Sequence, residues 1–318
     1  MIKSEYQGKT QEISSIRALF DKHFDDVSQQ VGVTISKATL QKYKICRKHF
    51  FNFIKEKYGR KDMKLTEVTK MLVHDFEIYL RTTVGHIQNT SIKTMKTLKT
   101  VIIFGKSIGL LSHDPFHGMK FHYQTIDRGF LTDSELTCIA NKDMSHIPRL
   151  ELVRDIFLFS CFTGLAYIDV SNLTPDNIVS MDGNDWIMTR RQKTNIASNV
   201  LLLDVPKQII SKYNHQTYRE GKLFPMLSNQ KVNSYLKEIA DICGIKKNLT
   251  FHLARHTFAT LCLSKGVPME SVSKMLGHTN IRTTQIYARI TNKKIEQDMM
   301  ELADKIGDFS LNNVPPIE

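Results

Sequence analysis

A chain of 318 residues, 41% of them hydrophobic, can bury one large core or two smaller ones, and its length favours two. The longest apolar run, Ile156 to Tyr167, is broken by Ser160, Thr163 and Gly164 and falls short of the ~20 residues a membrane-spanning helix needs. No secretory apolar stretch opens the chain, so a cytoplasmic protein without a membrane partner is expected, and the net charge of +12 points toward a polyanion.

That charge is local. Residues 35–125 hold 17 lysines and arginines against 6 acids, while the rest of the chain is nearly balanced. A basic domain joined to a nearly neutral one suits nucleic acid. The five cysteines are scattered and never spaced as CxxC, which argues against a disulfide framework and against a zinc site.

In chain order, residues 11–30 carry Ile13, Ile16, Leu19, Phe20 and Phe24 at helical spacing. We read residues 1–33 as an N-terminal helix or coupling segment. A stronger helix follows over 34–58, apolar through Leu40, Tyr43, Phe50, Ile54 and Tyr58, with Lys42, Lys44 and Lys48 among the cations on its remaining surface. Helices near 66–82 and 90–110 complete a basic helical domain over 34–118. The last of these sets Lys93, Lys96 and Lys99 at successive i, i+3 steps, either a solvated face or a set of phosphate contacts. Pro115 and Gly118 interrupt the pattern, and residues 119–130 are expected to be a linker.

The second domain, 131–318, opens on a capping box, Thr132-x-x-Glu135. It reads as mostly helical. Asn177 to Asp204 is the exception, where Asp182-Gly183 marks a hairpin turn between β-prone runs. The expected fold class is therefore mainly α with one small antiparallel β-sheet.

Three stretches of this domain carry chemistry in combination. In Phe251-His252-Leu253-Ala254-Arg255-His256, a helix starting near His252 would put His252, Arg255 and His256 on one face. Two histidines one turn apart can hold zinc, but the HExxH glutamate and an evident third ligand are missing, so no metal is expected. In Met275-Leu276-Gly277-His278-Thr279-Asn280, Gly277 would end one helix and Thr279 or Asn280 would cap the next, leaving His278 at the junction and Tyr287 two turns into the second helix. Alone, Tyr287 reads as a half-buried packing residue. The third stretch, Arg190-Arg191-Gln192-Lys193-Thr194-Asn195, lies in a turn between strands, where a lone Lys193 would be merely solvated.

Together, HLARHTFAT, LGHTNIRTTQIYARI, RRQKTN and FTGLAYIDVSNL resemble, in order and spacing, the catalytic boxes of the tyrosine recombinases, or phage integrases. RDIFLFSCFTGLAYIDV is most similar to integrases of Bacteroides-type mobile elements. The resemblance spans residues 34 to about 300 and implies a helical core-binding domain and a catalytic domain clamping duplex DNA. It implies that Tyr287 attacks the scissile phosphate to give a 3′-phosphotyrosine and a free 5′-hydroxyl, with no cofactor or ATP. Arg255 would stabilise the phosphate, Lys193 would protonate the leaving 5′-oxygen from a mobile hairpin in the minor groove, His252 and His278 would hydrogen-bond the phosphate, and His256 would assist. It also implies a tetramer on two DNA sites in the nucleoid, accessory DNA-bending proteins, and docking of an amphipathic C-terminal segment (Ile295, Met299, Leu302, Ile306) onto a neighbour. Packing of that segment within its own chain is the alternative.

One departure stands out. The family's first catalytic arginine follows Thr-Gly-Leu, but here Thr163-Gly164-Leu165 is followed by Ala166. Arg154, twelve residues earlier, is the expected substitute, with Arg149 second. Two other functions remain open on sequence: a non-catalytic DNA-binding protein, favoured by Ala166, and a topoisomerase using the same tyrosine chemistry.

Overall fold

The structure, a computed structural model, describes residues 13–124, 129–213, 221–287 and 292–306. It divides into two compact units, Met1–Ile126 and Asp127–Glu318.

The first unit has four main helices, α1 (Ile16–Gln29), α2 (Lys37–Tyr58), α3 (Lys70–Thr82) and α4 (Gln88–Ser107). Local chemistry sets most of their ends. The hydroxyls of Ser15, Ser36 and Thr69 cap α1, α2 and α3, and Gly59 closes α2 in the left-handed conformation. The core joins all four helices through Ile16, Leu19, Phe20, Phe50, Phe53, Phe76, Leu98 and Val101. Two boundaries therefore differ from the sequence reading. Helix α1 is not a separate coupling segment, because its apolar side is buried in the same core as α2 to α4. The expected linker begins docked: Met119 and Phe121 pack on this core, Gln88 donates to the His122 carbonyl, and Asn89 exchanges hydrogen bonds with the Gln124 backbone. Phe130, at the far end of that expected linker, belongs to the second unit, and residues 125–128 lie outside the described residues.

The second unit is organised around α6 (Pro148–Thr163), which packs against α5 (Asp133–Asn141), α8 (Asp204–Tyr213), α9 (Asn229–Ile242) and α10 (Phe251–Ser264). The C-terminal half of α6, residues 156–163, is mostly apolar and buried nearly all round, whereas its first turns carry Arg149 and Glu151 at the surface. Val153, Ile156, Phe157, Phe159 and Cys161 are all essentially inaccessible. Short α7 (Tyr167–Asn172) follows its C-terminus. A three-stranded antiparallel sheet then runs β1 (Ile178–Met181), β2 (Asn184–Arg190) and β3 (Ala197–Leu201) in sequential order. Asp182 and Gly183, both at positive φ, make the β1–β2 turn, and cross-strand partners Ile187 and Val200 are both buried. After α10 come α11 (Met269–Met275), α12 (Arg282–Gln285) and α13 (Asn292–Ile306). No helix among the described residues is long and apolar enough to cross a membrane.

Candidate active site

The site grows from the C-terminus of α6. There Gly164 adopts φ +69°, donates its N–H to Ser160, and turns the chain toward Ala166 and α7. Its carbonyl is thereby presented to Arg255. That arginine is 2% exposed; its Nη1 donates to the Gly164 carbonyl at 2.6 Å and its Nη2 to the Leu276 carbonyl. Two main-chain carbonyls thus fix the guanidinium plane while a second hydrogen on each terminal nitrogen remains for a ligand. Burial, and then the neighbouring Arg191, lower the Arg255 pKa to about 10, so it stays charged at neutral pH.

Leu276 leads into Gly277 and His278, the turn between α11 and α12. His278 Nδ1 lies 2.9 Å from the Thr284 hydroxyl. Burial, then Arg255 and Arg191, depress its pKa to about 4, leaving a neutral imidazole at physiological pH. The Asn280 side chain accepts the Arg282 N–H in the turn before α12, whose N-cap position is Ile281 and has no side-chain cap, in place of the expected Thr279 or Asn280. Tyr287, however, is not two turns into a helix. Helix α12 ends at Gln285, and the Tyr287 N–H closes a tighter i→i+3 turn on the Thr284 carbonyl, with residues 288–291 outside the described residues.

Tyr287 is 7% exposed, its ring packed with Phe258, Ala259, Val272 and Leu276. Three features tie it to the site. The His256 ring meets it edge-on at 4.8 Å, the His278 ring stacks at 6.4 Å, and its phenol is near enough to Arg255 to favour the guanidinium charge. His256 Nε2 in turn lies 3.1 Å from His252 Nε2. His252, Arg255 and Ala166 line a common cavity of about 450 Å³. Among the described residues no three or more His, Cys, Asp or Glu side chains gather as a metal site requires.

The β2–β3 loop carries Lys193, exposed at its tip. In the structure the loop is tied to its surroundings on either side of Lys193. The Gln192 N–H donates to buried Asp169, Asn172 donates to the Gln192 side chain, and the Thr194 hydroxyl reaches the Gly277 carbonyl at 3.4 Å. These bonds hold Arg191 against Gly277. Sequence reasoning missed Arg191; the signal was a doubled arginine beside Lys193 with no acid nearby.

Arg154 is a correction. Its guanidinium pairs with Asp155 at 2.8 Å and with Glu151, and donates to the Lys142 carbonyl. Asp155 is 4% exposed and also binds Lys212 and Tyr213, so Arg154 is held there neutralising a buried carboxylate. It also lies ten residues before Gly164, roughly 15 Å along the helix axis. Arg149 pairs with Glu238 and covers Tyr235, again away from Arg255. In the first unit Lys42, Lys44, Lys48, Lys93 and Lys96 are exposed and Lys99 is half-buried, and no carboxylate pairs with any of them among the described residues. Lys96 lies over Tyr123 and Lys99 over Phe116.

The phage integrase family model matches residues 139–294, and the phage integrase SAM-like domain matches residues 15–124. The chain is 43% identical over 202 residues to the tyrosine recombinase XerD of Listeria innocua serovar 6a, a match covering 59% of this chain and 67% of the relative. Its fold is that of the Tn1549 transposon integrase solved in complex with a circular intermediate DNA, with a TM-score of 0.71, 15% identity, and coverage of 91% of this chain and 99% of that one. It is also similar to the lambda integrase solved as a tetramer bound to a Holliday junction, with a TM-score of 0.65, 16% identity, and coverage of 87% and 78%. Both units being matched in order around this tyrosine and arginine, the chain belongs to the phage integrase family, the tyrosine recombinases.

Proposed function

We propose that this chain is a site-specific recombinase that cleaves and rejoins duplex DNA through a covalent link to Tyr287. The observation that carries the reading is the meeting of the Tyr287 ring with the rings of His256 and His278, close to the buried Arg255, within one unit. The phenol gives up its proton with the help of His256 beside it, its oxygen attacks the scissile phosphorus, the P–O5′ bond breaks, and the leaving 5′-oxygen takes a proton, for which Lys193 is the donor. The 5′-hydroxyl of a second strand then attacks the phosphotyrosine and releases Tyr287. The phosphodiester energy is kept in the covalent link. Arg255 stabilises charge on the non-bridging oxygens, His278 and His252 hydrogen-bond them, and His256 assists proton transfer.

Lys42, Lys44, Lys48, Lys93, Lys96 and Lys99, free of acids among the described residues, supply phosphate contacts from the first unit. Two copies on each of two sites form a tetramer. Helix α13 supports this, since Ile295, Met299, Leu302 and Ile306 are 44–57% exposed and offer an apolar side to a second copy. The DNA substrate puts this work in the cytoplasm, at the nucleoid, and the natural role is integration, excision or inversion of a mobile or invertible element.

The test uses duplexes tiling the DNA that flanks the reading frame, incubated with the protein and then denatured. A protein–DNA adduct at one position, with a free 5′-hydroxyl beside it, is expected. Adducts distributed over every duplex, with relaxation of plasmid lacking that position, would instead make the protein a topoisomerase. Tight binding without an adduct would make it a non-catalytic DNA-binding protein.

A further inference from the structure

The transition state of phosphoryl transfer spreads negative charge over oxygens that fixed cations must meet. Ala166 lines the cavity with Arg255 and His252 yet carries no charge, and Arg154 and Arg149 are bound elsewhere. The structure brings one other guanidinium to the place. Arg191 Cβ and Cδ lie 3.5 Å from where a side chain on Gly277 would begin, and Gly277 follows the Leu276 carbonyl that anchors Arg255. Arg191 and Arg255 therefore stand against the same two-residue stretch, immediately before His278.

The backbone of Arg191 is fixed on both sides. Its N–H donates to the Ile196 carbonyl at 2.8 Å, and its carbonyl accepts from Asn195 at 2.7 Å. Its side chain is not neutralised. Nε is buried and meets no hydrogen-bond acceptor, and no carboxylate pairs with the guanidinium, among the described residues. A buried arginine N–H left open is costly unless a ligand takes it. Its charge is also felt at the site, where it disfavours protonation of Arg255 and His278. Two like charges placed together, with Asp169 as the nearby acid, make a pocket that an anion would relieve.

We propose that Arg191 is a catalytic residue that takes the place of the arginine missing at Ala166, contacting a non-bridging oxygen of the scissile phosphate opposite the second cation, Arg255. This rests on the recombinase reading above. It moves the cation from the start of α7 to the β2–β3 loop, two residues from Lys193, so that one fastened loop delivers both a phosphate-binding cation and the proposed acid.

The experiment compares Arg191→Ala, Arg191→Lys, Arg154→Ala and the double variant Ala166→Arg/Arg191→Ala, on the cleavable duplex and on the same duplex with a neutral methylphosphonate at the scissile position. Arg191→Ala should form the adduct roughly 10²–10³-fold more slowly at unchanged duplex affinity, as for loss of one transition-state donor. Arg191→Lys should recover part of the rate, because the charge returns without the fork. Two further results would separate charge stabilisation from loop damage: the methylphosphonate should narrow the defect to less than about tenfold, since a neutral phosphorus centre needs one cation fewer, and Ala166→Arg should restore cleavage in the Arg191→Ala background. Arg154→Ala unpairs Asp155 from that guanidinium and should lose stability, yet per folded molecule it should form the adduct at the wild-type rate. If wild-type protein forms the adduct and Arg191→Ala matches it, or if neither the methylphosphonate nor Ala166→Arg narrows its defect, the proposal is overturned. Absence of any adduct with wild-type protein would instead overturn the recombinase reading itself.

Discussion

Gly164 shows how one residue couples the fold to the chemistry. It occupies a left-handed conformation, and a Cβ there would come within 2.4 Å of the Phe258 ring and 2.9 Å of Leu276. Only glycine fits, and its carbonyl is one of the two anchors of Arg255. Gly164→Ala should therefore cost roughly 2–4 kcal/mol of stability, from overpacking together with a positive φ on a residue bearing Cβ. It should slow adduct formation by more than the unfolded fraction explains, because the displaced carbonyl lets the guanidinium shift. Chemical denaturation and cleavage rates at a temperature where the variant stays folded check both parts; a fully stable variant with normal cleavage would contradict them. The side chains within one helical turn of each other were legible in the sequence, since i, i+4 spacing is local geometry: His252 and His256 do meet. Arg154 was not. Counting back along α6 gives distance but not the buried Asp155 that claims it, and Arg191 enters only because the β2–β3 loop closes on Gly277 from far along the chain.

At the scale of elements, apolar periodicity located α1 to α4 to within a few residues, and the ends of α1, α2 and α3 are set by caps at Ser15, Ser36 and Thr69 that the spacing alone does not mark. The sheet was equally legible through Asp182-Gly183. What failed was context. Helix α1 reads as an isolated amphipathic segment until its partners are in place, and α12 is shorter than its sequence suggests because a tight turn at Thr284 sets Tyr287 beyond it. Helix α4 makes a separate prediction. Its Lys93, Lys96 and Lys99 carry no acidic partners among the described residues, and replacing all three by alanine should weaken binding to every duplex alike. The slope of log affinity against log salt should flatten by up to about 0.9 for each phosphate no longer neutralised by a lysine. An unchanged slope would return these lysines to a solvated surface. The stacking of Lys96 on Tyr123 predicts that it contributes least, being partly committed within the unit.

Across the whole molecule the uneven charge has its counterpart in two units with different tasks. The basic residues of 35–125 decorate a helical core whose described cations are mostly unpaired, while the second unit, nearly neutral overall, sets Arg255 and Arg191 close together with no ion pair to either among the described residues. In the proposed function, generic attraction to DNA falls to the first unit and stabilisation of one phosphate to the second. The proposed chemistry depends on Tyr287 being the nucleophile. That can be measured directly by trapping the adduct, digesting with trypsin and sequencing the nucleotide-bearing peptide by mass spectrometry. Cleavage after Arg282 and Arg289 releases Thr283–Arg289, which contains Tyr287 and none of the other tyrosines among the chain's 10. The nucleotide is expected on that tyrosine through a 3′-phosphate, with no adduct from Tyr287→Phe, whereas a nucleotide on any other residue, or an undiminished adduct from Tyr287→Phe, would show that Tyr287 is not the nucleophile.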